Sequence, residues 1–484
     1  MQGQIVFATF ALGFQIMVKE QKPDTTDVMV VGAGLTGLTA AYHLSQAGQK
    51  VHVVEQQDRV GGQIRTFRAD GFVFESGPTT GSVSTPEVAE LMSALAVSSG
   101  GQCQLETAPD SAKRRLIWKG GRFRDLPSGP LSAVTTPLFR FSDKLRILGE
   151  PWRKKGDDPD ESVGSLARRR LGKSFVDYAV DPFLSGVYAG NPDTLITRYA
   201  LPKLYNLEQT YGSFIRGSIA KAKEPKTDRD RLATKKVFSA VGGLSQIPSA
   251  EAAAIGYQHI SLGVKDVRVM PSPEGWLTTF VDCEGQPRQM LSRYVVTTCG
   301  AYSLPQLLPF VAKEQMAKIA SLHYAPVMEV AVGVRNDWGG DYRAFGGLVP
   351  TCEHKHLLGI LFPSSCFQGR APRGSVLFSY FMGGVKHPEL LDLSDGEVEQ
   401  YVVRYFHEML KFPSQVEPDL IRIFRHRRAI PQYEASSGER FAAVGSLQQQ
   451  HPGLIIGGNL RDGIGMAHRI TQAARIAAEI IQHK

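Results

Sequence analysis

The segment Gly32-Ala33-Gly34-Leu35-Thr36-Gly37 constrains this chain more than any other. It follows directly on the apolar run Val28-Met29-Val30-Val31, which reads as a buried strand. Residues 38–47 then read as a helix stopped by Gly48. A second strand, Val51-His52-Val53-Val54, closes on Glu55, eighteen residues after Gly37. This is the spacing of a βαβ unit that holds a dinucleotide. Gly32 permits the tight turn, Gly34 lets the backbone approach a pyrophosphate, and Gly37 lets helix and strand pack closely. The helix N-terminus offers unpaired N–H groups and a partial positive charge to the phosphates. Glu55 can accept both ribose hydroxyls, and its charge disfavours a 2′-phosphate.

At 484 residues the chain is long enough for two or three domains. The helical opening returns at 87–97, and 100–236 reads as helical and basic, broken at Pro127, Gly129, Pro130 and Pro151. Strand runs follow near 258–269, 276–281 and 294–298, then strand-rich sequence over 327–385 and a helix at 395–411. The tail repeats the opening style with Leu454-Ile455-Ile456, a glycine turn and a helix over 464–482. An α/β fold is expected, with a discontinuous Rossmann-like dinucleotide domain from 27–92, 237–302 and 441–484. Inserted in it are a mainly helical domain at 93–236 and an α+β substrate domain with a mixed sheet at 303–440. Residues 1–26 are expected to be an extension outside the fold.

Apolar residues at 42% and charged ones at 21% exclude wholesale disorder. Lys+Arg 55 against Asp+Glu 47 gives +8, which favours acidic partners such as carboxylated small molecules or anionic lipid. The surplus lies in short runs, Lys113-Arg114-Arg115 and Arg168-Arg169-Arg170, without an arginine-rich tail, so no nucleic-acid partner is expected. The five cysteines (103, 283, 299, 352, 366) form no CxxC, which points to a reducing compartment. Residues 5–17 are apolar, but these thirteen fall short of the ~20 a span needs, and no Lys or Arg precedes them. They read as a membrane-touching leader or, more simply, as an extension ahead of a start at Met17. Membrane contact would then be peripheral, and the expected location is the cytoplasm or the inner face of a membrane, without a signal peptide.

Arg59-Val60-Gly61-Gly62-Gln63-Ile64-Arg65-Thr66 suits a second pass of backbone along a pyrophosphate, and Glu75-Ser76-Gly77-Pro78 adds another tight turn. This continuation resembles the two-dinucleotide-binding-motif flavoproteins of the amine oxidase and desaturase superfamily. The tail agrees: Gly457-Gly458-Asn459, then Gly463-Ile464-Gly465-Met466 at the head of the last helix. A helix N-terminus near the flavin pyrimidine would stabilise the charge that builds there on reduction. The resemblance implies one noncovalent FAD per chain, held first by Gly32, Ala33, Gly34, Leu35, Thr36, Gly37, Glu55 and Gln56. Gly62, Gln63 and Arg65 follow, with Gly77, Pro78, Thr79, Thr80 and Val264. The tail adds Gly458, Asn459, Ile464, Gly465 and Met466. Asn459 and Leu460 stand where some amine oxidases attach the flavin covalently.

The run from Pro182 to Pro192, PFLSGVYAGNP, is similar to a motif of the protoporphyrinogen oxidases. So are Leu207–Ser213, Ala240–Leu244, Phe345–Pro350, Leu358–Ile360, Gly369–Pro372 and Ala429–Tyr433, and the likeness runs from about 27 to 482. It implies oxidation of a porphyrinogen to a porphyrin, with FAD taking hydride directly from a meso carbon, molecular oxygen as acceptor and hydrogen peroxide as product. Arg115 would pair with a propionate, the Gly186 carbonyl would accept pyrrole N–H groups, and Phe345, Leu348, Leu361 and Phe381 would sandwich the ring. On the residues alone, Arg115 also fits a solvated basic face, Gly186 a plain turn, and the four apolar residues ordinary core. No acid–base residue stands out. Cys352-Glu353-His354-Lys355-His356 has poor ligand spacing, so no metal is expected.

The tail departs from the family pattern: Asn459–His468 lacks the aromatic residue before the glycine and the later Asp-Cys, and Gln63 stands where a residue packs on the flavin. Coproporphyrinogen III, with four carboxylates, is the nearest rival substrate and would want more cations at the pocket mouth. A desaturase or amine oxidase activity, or a flavin scaffold without turnover, are more distant readings. The 100–236 segment resembles the one by which relatives rest on membranes. There Leu131, Val134, Leu138 and Phe139, beside Arg140 and Lys144, would dip into a leaflet, roof a channel or form a small core. A homodimer is admitted, since nothing in the residues fixes the oligomeric state.

Overall fold

The computed structural model describes residues 22–483 and has a mixed α/β fold. Its first sheet is centred on the strand Asp24–Val31, which runs parallel to Val51–Glu55 on one side and to Pro287–Thr297 on the other. Val28, Met29 and Val30 are fully buried, because a central parallel strand is covered on both faces. Ile260–Leu262 extends the sheet beyond Val51–Glu55. The far side of Pro287–Thr297 is shared, its first half by antiparallel Gly275–Val281 and its second by parallel Leu454–Ile456. Lys265–Ser272 completes the seven strands. The helices Leu35–Gln46 and Met466–Gln482 pack on each other over this sheet, so the two ends of the described chain share one core.

Local chemistry shifts several boundaries. The first strand begins at Asp24, ahead of residue 27, because Asp24, Thr25 and Thr26 pair with Met290, Leu291 and Ser292. Residues 1–21 of the expected extension lie outside the described residues. The first helix starts at Leu35, since Gly34 is an extended N-cap and Leu35-Thr36-Gly37 already form the first turn. The run expected at 258–269 is two strands, Ile260–Leu262 and Lys265–Ser272, parted at Gly263 with φ +69°.

The second sheet also has seven strands, in the order Leu420–Pro431, Tyr324–Val334, Val376–Gly383, Gly359–Leu361, Gly346–Leu348, Arg115–Trp118 and Phe123–Asp125. All neighbours are antiparallel except Gly346–Leu348 and Arg115–Trp118, which run parallel. Alternation decides what each face does. Met328, Val330 and Val332 join Phe378, Tyr380, Val402 and Phe406 in a core covered by the helix Asp395–Leu410. Val327 and Glu329, on the opposite face, line a cavity.

The stretch 93–236, expected to be mainly helical, also contributes Arg115–Trp118 and Phe123–Asp125 to this second sheet. A third strand, Leu105–Thr107, pairs with Val237–Ala240, which in turn pairs with Gly81–Ser82 and so stands outside the dinucleotide sheet. Strands of two to four residues are too short to display a period of two, which hid them in the sequence. The hairpin of Thr66–Ala69 and Phe72–Glu75 was hidden for the same reason. The helical remainder is tied by Arg170, fully buried, which bonds Glu150 at 2.5 Å and Glu208 at 2.6 Å. Leu138 and Phe139 take the small-core alternative: both are buried, and Phe139 stacks on Phe175 at 3.8 Å.

Where the sheets meet, the buried Glu75 carboxylate accepts from Leu244 N (2.9 Å), Thr66 Oγ1 (2.7 Å) and Arg370 Nη1 (2.9 Å), while Arg370 Nη2 donates to Ser239 Oγ (2.6 Å). Arg370→Met would leave that carboxylate buried without its counter-charge, an expected loss of about 3–5 kcal/mol. A urea melt is the check, and an unchanged midpoint would contradict the account.

Candidate active site

The glycine-rich turn opens one end of a cavity of ≈ 780 Å³. Gly32 has φ +107°, and a Cβ there would sit 2.7 Å from Thr298 Oγ1. A Cβ on Gly37 would come within 1.9 Å of the Gly32 carbonyl oxygen, so strand and helix touch at backbone distance. At Gly34 a Cβ would meet nothing within 4 Å: it would project into the cavity. The Gly61-Gly62 loop lies against this turn, bridging Gly34 to Gly61. Glu55 is buried at the cavity wall, its Oε2 accepting from Ala33 N (2.8 Å) and its Oε1 from Gln57 N (2.9 Å). The carboxylate is thereby fixed in place by backbone donors.

The expected cofactor residues fall into three groups, with Arg65 apart from all of them. Gly32, Gly34, Leu35, Thr36, Glu55, Gln56, Gly62 and Gln63 line this cavity, as do Pro78, Val264, Gly458, Asn459, Ile464 and Met466. Ala33 and Gly37 stand behind it as framework. Gly77, Thr79, Thr80 and Gly465 line a second cavity instead. Arg65 lines neither. It is exposed, with its guanidinium over the Phe67 ring at 4.5 Å, because the hairpin that follows turns its side chain outward. Arg59 serves the loop in its place, donating to Gly62 O (2.7 Å), Val60 O (3.1 Å) and Ile64 O (3.2 Å).

Two cavity residues carried no signal in the motifs. Arg469, in the first turn of the last helix, is buried and donates to the Gly458 and Arg461 carbonyls. Burial lowers its pKa to about 10. Cys299 also lines the wall, and burial pushes its thiol up to about 12, which leaves it a poor nucleophile. A long cavity with an open face at Gly34, a helix N-terminus behind it and a fixed acid at its wall fits a dinucleotide.

The second cavity, ≈ 380 Å³, shares Gln63, Pro78, Asn459, Ile464 and Met466 with the first. Its floor is the free face of the second sheet. Phe345, Leu348, Leu361 and Phe381 all line it, brought together by the pairings Gly346–Leu361, Leu348–Gly359 and Gly359–Phe381. Arg115 reaches in from the parallel strand, its guanidinium 5.0 Å from the Phe345 ring centroid. Its neighbours are engaged elsewhere: Lys113 with Asp110 at 2.7 Å, Arg114 with Asp125 at 2.9 Å and Asp341 at 3.2 Å. Among the described residues Arg115 is the one lysine or arginine of this cavity, and it has no carboxylate partner.

Gly186 lies in the last turn of the helix Asp181–Tyr188, not in an isolated turn. Helical carbonyls there lack intrahelical partners. A Cβ at this position would meet Leu348 Cδ2 at 2.5 Å. The helix follows a π-helical turn, Val176–Val180, a distortion frequent at functional sites. Glu329 is a cavity residue that no motif singled out, a lone acid in an apolar strand.

The family model described as flavin containing amine oxidoreductase matches residues 35–482. Protoporphyrinogen oxidase 2, chloroplastic/mitochondrial, of Arabidopsis thaliana is 29% identical, with 94% of each chain covered. The chloroplastic protoporphyrinogen oxidase of Nicotiana tabacum is 30% identical, over 94% of this chain and 85% of that one. A crystal structure of an Exiguobacterium sp. 255-15 protein, provisionally assigned as a protoporphyrinogen oxidase, superposes with a TM-score of 0.77 at 21% identity, covering 95% of this chain and 99% of that one. At that identity the likeness speaks for the fold alone. The chain belongs to the flavin containing amine oxidoreductase family, in its protoporphyrinogen oxidase branch. Its cofactor is FAD.

Two alanines separate framework from contact. Gly37→Ala, whose Cβ would run into the Gly32 carbonyl at 1.9 Å and Thr298 Oγ1 at 2.8 Å, is expected to destabilise the fold and yield little soluble protein. Gly34→Ala is expected to fold normally yet lose flavin, read as absorbance near the flavin band after dialysis. Full retention of flavin by Gly34→Ala would count against the assigned pyrophosphate approach.

Proposed function

We propose that this protein oxidises protoporphyrinogen IX to protoporphyrin IX, with molecular oxygen as acceptor and hydrogen peroxide as product. The observation that carries the reading is Arg115, a cation without a carboxylate partner among the described residues, at one side of an apolar cavity that shares wall residues with the dinucleotide cavity. Bound FAD supplies hydride acceptance. The protein's own residues do the rest by position. Arg115 takes a propionate, bidentately where geometry allows. Phe345, Leu348, Leu361 and Phe381 hold the ring and exclude water. The Gly186 carbonyl faces the pyrrole N–H groups and favours the positive charge that develops as hydride departs. A single arginine suits two propionates clustered on one edge better than the four carboxylates of coproporphyrinogen III, which would bring charge to edges with no cation.

The same reading divides the chain into a dinucleotide domain from 27–92, 237–302 and 441–484, a mainly helical 93–236 and a substrate domain 303–440. The strands Arg115–Trp118 and Phe123–Asp125 are reassigned to the substrate domain. It keeps FAD noncovalent, one per chain. It also has the helical part resting on an anionic membrane surface. Leu131 and Val134 are 79% and 68% exposed, Phe141 and Leu148 73% and 69%, and Trp152 78%. These support peripheral docking, and no helix among the described residues is long and apolar enough to cross a membrane.

Porphyrin fluorescence on aerobic mixing with each porphyrinogen tests the substrate. Protoporphyrinogen IX is expected to be preferred; preference for coproporphyrinogen III would overturn the substrate while leaving the flavin site. Arg115→Ala is expected to raise KM about 10- to 100-fold, the worth of a charge-assisted hydrogen bond. Gly186→Leu, driven into Leu348, is expected to keep flavin and lose turnover. Sedimentation with anionic vesicles at low salt tests docking, and protein wholly in the supernatant would refute it.

A further inference from the structure

We propose that Glu329 is the proton-transfer residue of the substrate cavity, moving protons between positions of the partly oxidised macrocycle. The proposal rests on the porphyrinogen reading above. Glu329 sits on the cavity face of Tyr324–Val334, opposite Phe381 on one neighbouring strand and Phe424 on the other. It is 1% exposed, and neither carboxyl oxygen has a hydrogen-bond partner among the described residues. A core position on this strand calls for an apolar residue, as at Met328 and Val330, so no structural contact accounts for an acid here.

The surroundings favour the neutral form of this acid. Burial, reinforced by the nearby Glu75 carboxylate, raises its pKa well above the carboxylate range. The Ser379 hydroxyl pulls the other way but does not meet hydrogen-bond geometry. Arg370 is taken by Glu75 and Ser239. His426, on the adjoining strand, shares a ring nitrogen contact with the Ser76 carbonyl. Arg115 stands four strand spacings away across the floor, about 19 Å at ~4.8 Å per strand. The edge that carries Glu329 is also the one nearest the dinucleotide. Its next strand holds Ala429, whose carbonyl lies 3.5 Å from Gln63 Nε2, and Gln63 lines both cavities.

The chemistry gives such a group a step to speed beyond the positioning described above. A porphyrinogen becomes a porphyrin by losing three hydrides and three protons, and after each loss hydrogens must be redistributed around the ring before the next hydride can leave from the same place. A neutral carboxylic acid does this without creating charge. Its O–H bond breaks as a bond to hydrogen forms at one ring position, while a ring N–H breaks at another and its proton binds the second carboxyl oxygen. The electron count is unchanged, the acid is regenerated, and no ion has to be held in an apolar cavity.

Glu329→Gln keeps the shape and polarity but carries no transferable acid proton. The flavin-loaded variant is mixed anaerobically with protoporphyrinogen IX to follow flavin bleaching, then aerobically to follow porphyrin fluorescence. The expected result is bleaching at the wild-type rate, with porphyrin formation slowed on the order of 100-fold and partly oxidised tetrapyrroles accumulating. Glu329→Asp should recover part of the loss. Porphyrin formed at the wild-type rate would overturn the proposal. So would equal losses in bleaching and porphyrin formation, which mark a binding role. Should Glu329→Gln not retain flavin, the wild-type enzyme in deuterium oxide decides. A solvent isotope effect is expected on porphyrin formation and not on bleaching, and its absence from porphyrin formation overturns the assignment. Wild-type flavin that no porphyrinogen bleaches would instead refute the substrate reading.

Discussion

The buried pair of Glu75 and Arg370 holds the two halves of this molecule in one geometry. It lies where the dinucleotide-side segments 66–75 and 239–244 meet the loop leading into the second sheet, and four directional bonds satisfy it. Such a pair adds little to raw stability compared with apolar packing, but it tolerates one arrangement only. The consequence reaches both cavities. The turn Ser76–Thr80 leaves directly from Glu75, placing Pro78 on both cavities and Gly77, Thr79 and Thr80 on the second. The same carboxylate also bears on Glu329, adding to the upward shift that burial gives that acid.

The parts of the site that could be read from the sequence are those whose demands are local. Gly32 announces itself through its positive φ, and Gly37 because the Gly32 carbonyl passes it at a distance no side chain survives. Arg115 and Gly186 come from resemblance, and both line the apolar cavity that adjoins the dinucleotide cleft. What escaped notice depends on direction or on partners distant in sequence. Arg59 and Arg65 lie in one short loop, and which of them turns inward is settled by a hairpin too short to recognise. Leu138 and Phe139 look like the exposed Leu131 and Val134 until Phe175 and Ile117 arrive to cover them. Glu329 is a single letter in an apolar run, and its meaning lies in which face of the strand it occupies.

The substrate floor also explains why the helical segment cannot be a free-standing appendage. Arg115–Trp118 enters the second sheet in parallel beside Gly346–Leu348, and parallel strands need a long connection between them. Here that connection takes in the whole helical region with its buried Arg170 cluster, then the later strands of the first sheet and Tyr324–Val334. The cation of the cavity and the surface that would meet a membrane therefore belong to one covalent excursion. Motion of the helices relative to the sheet would be felt at Arg115.

The two halves of the flavin cradle come from opposite ends of the described chain, residues 32–80 and 454–469, and the strand Leu454–Ile456 is clasped by Pro287–Thr297 between them. That gives the fold a chronology. A ribosome has to deliver almost everything in between before the cleft exists, so nascent chain cannot be rescued early by its cofactor. Once complete, a chain surrounded by flavin at a hundred times its dissociation constant would gain about 2.7 kcal/mol against unfolding. Flavin supply would thus bear on how much of the chain stays folded as well as on how fast it turns over.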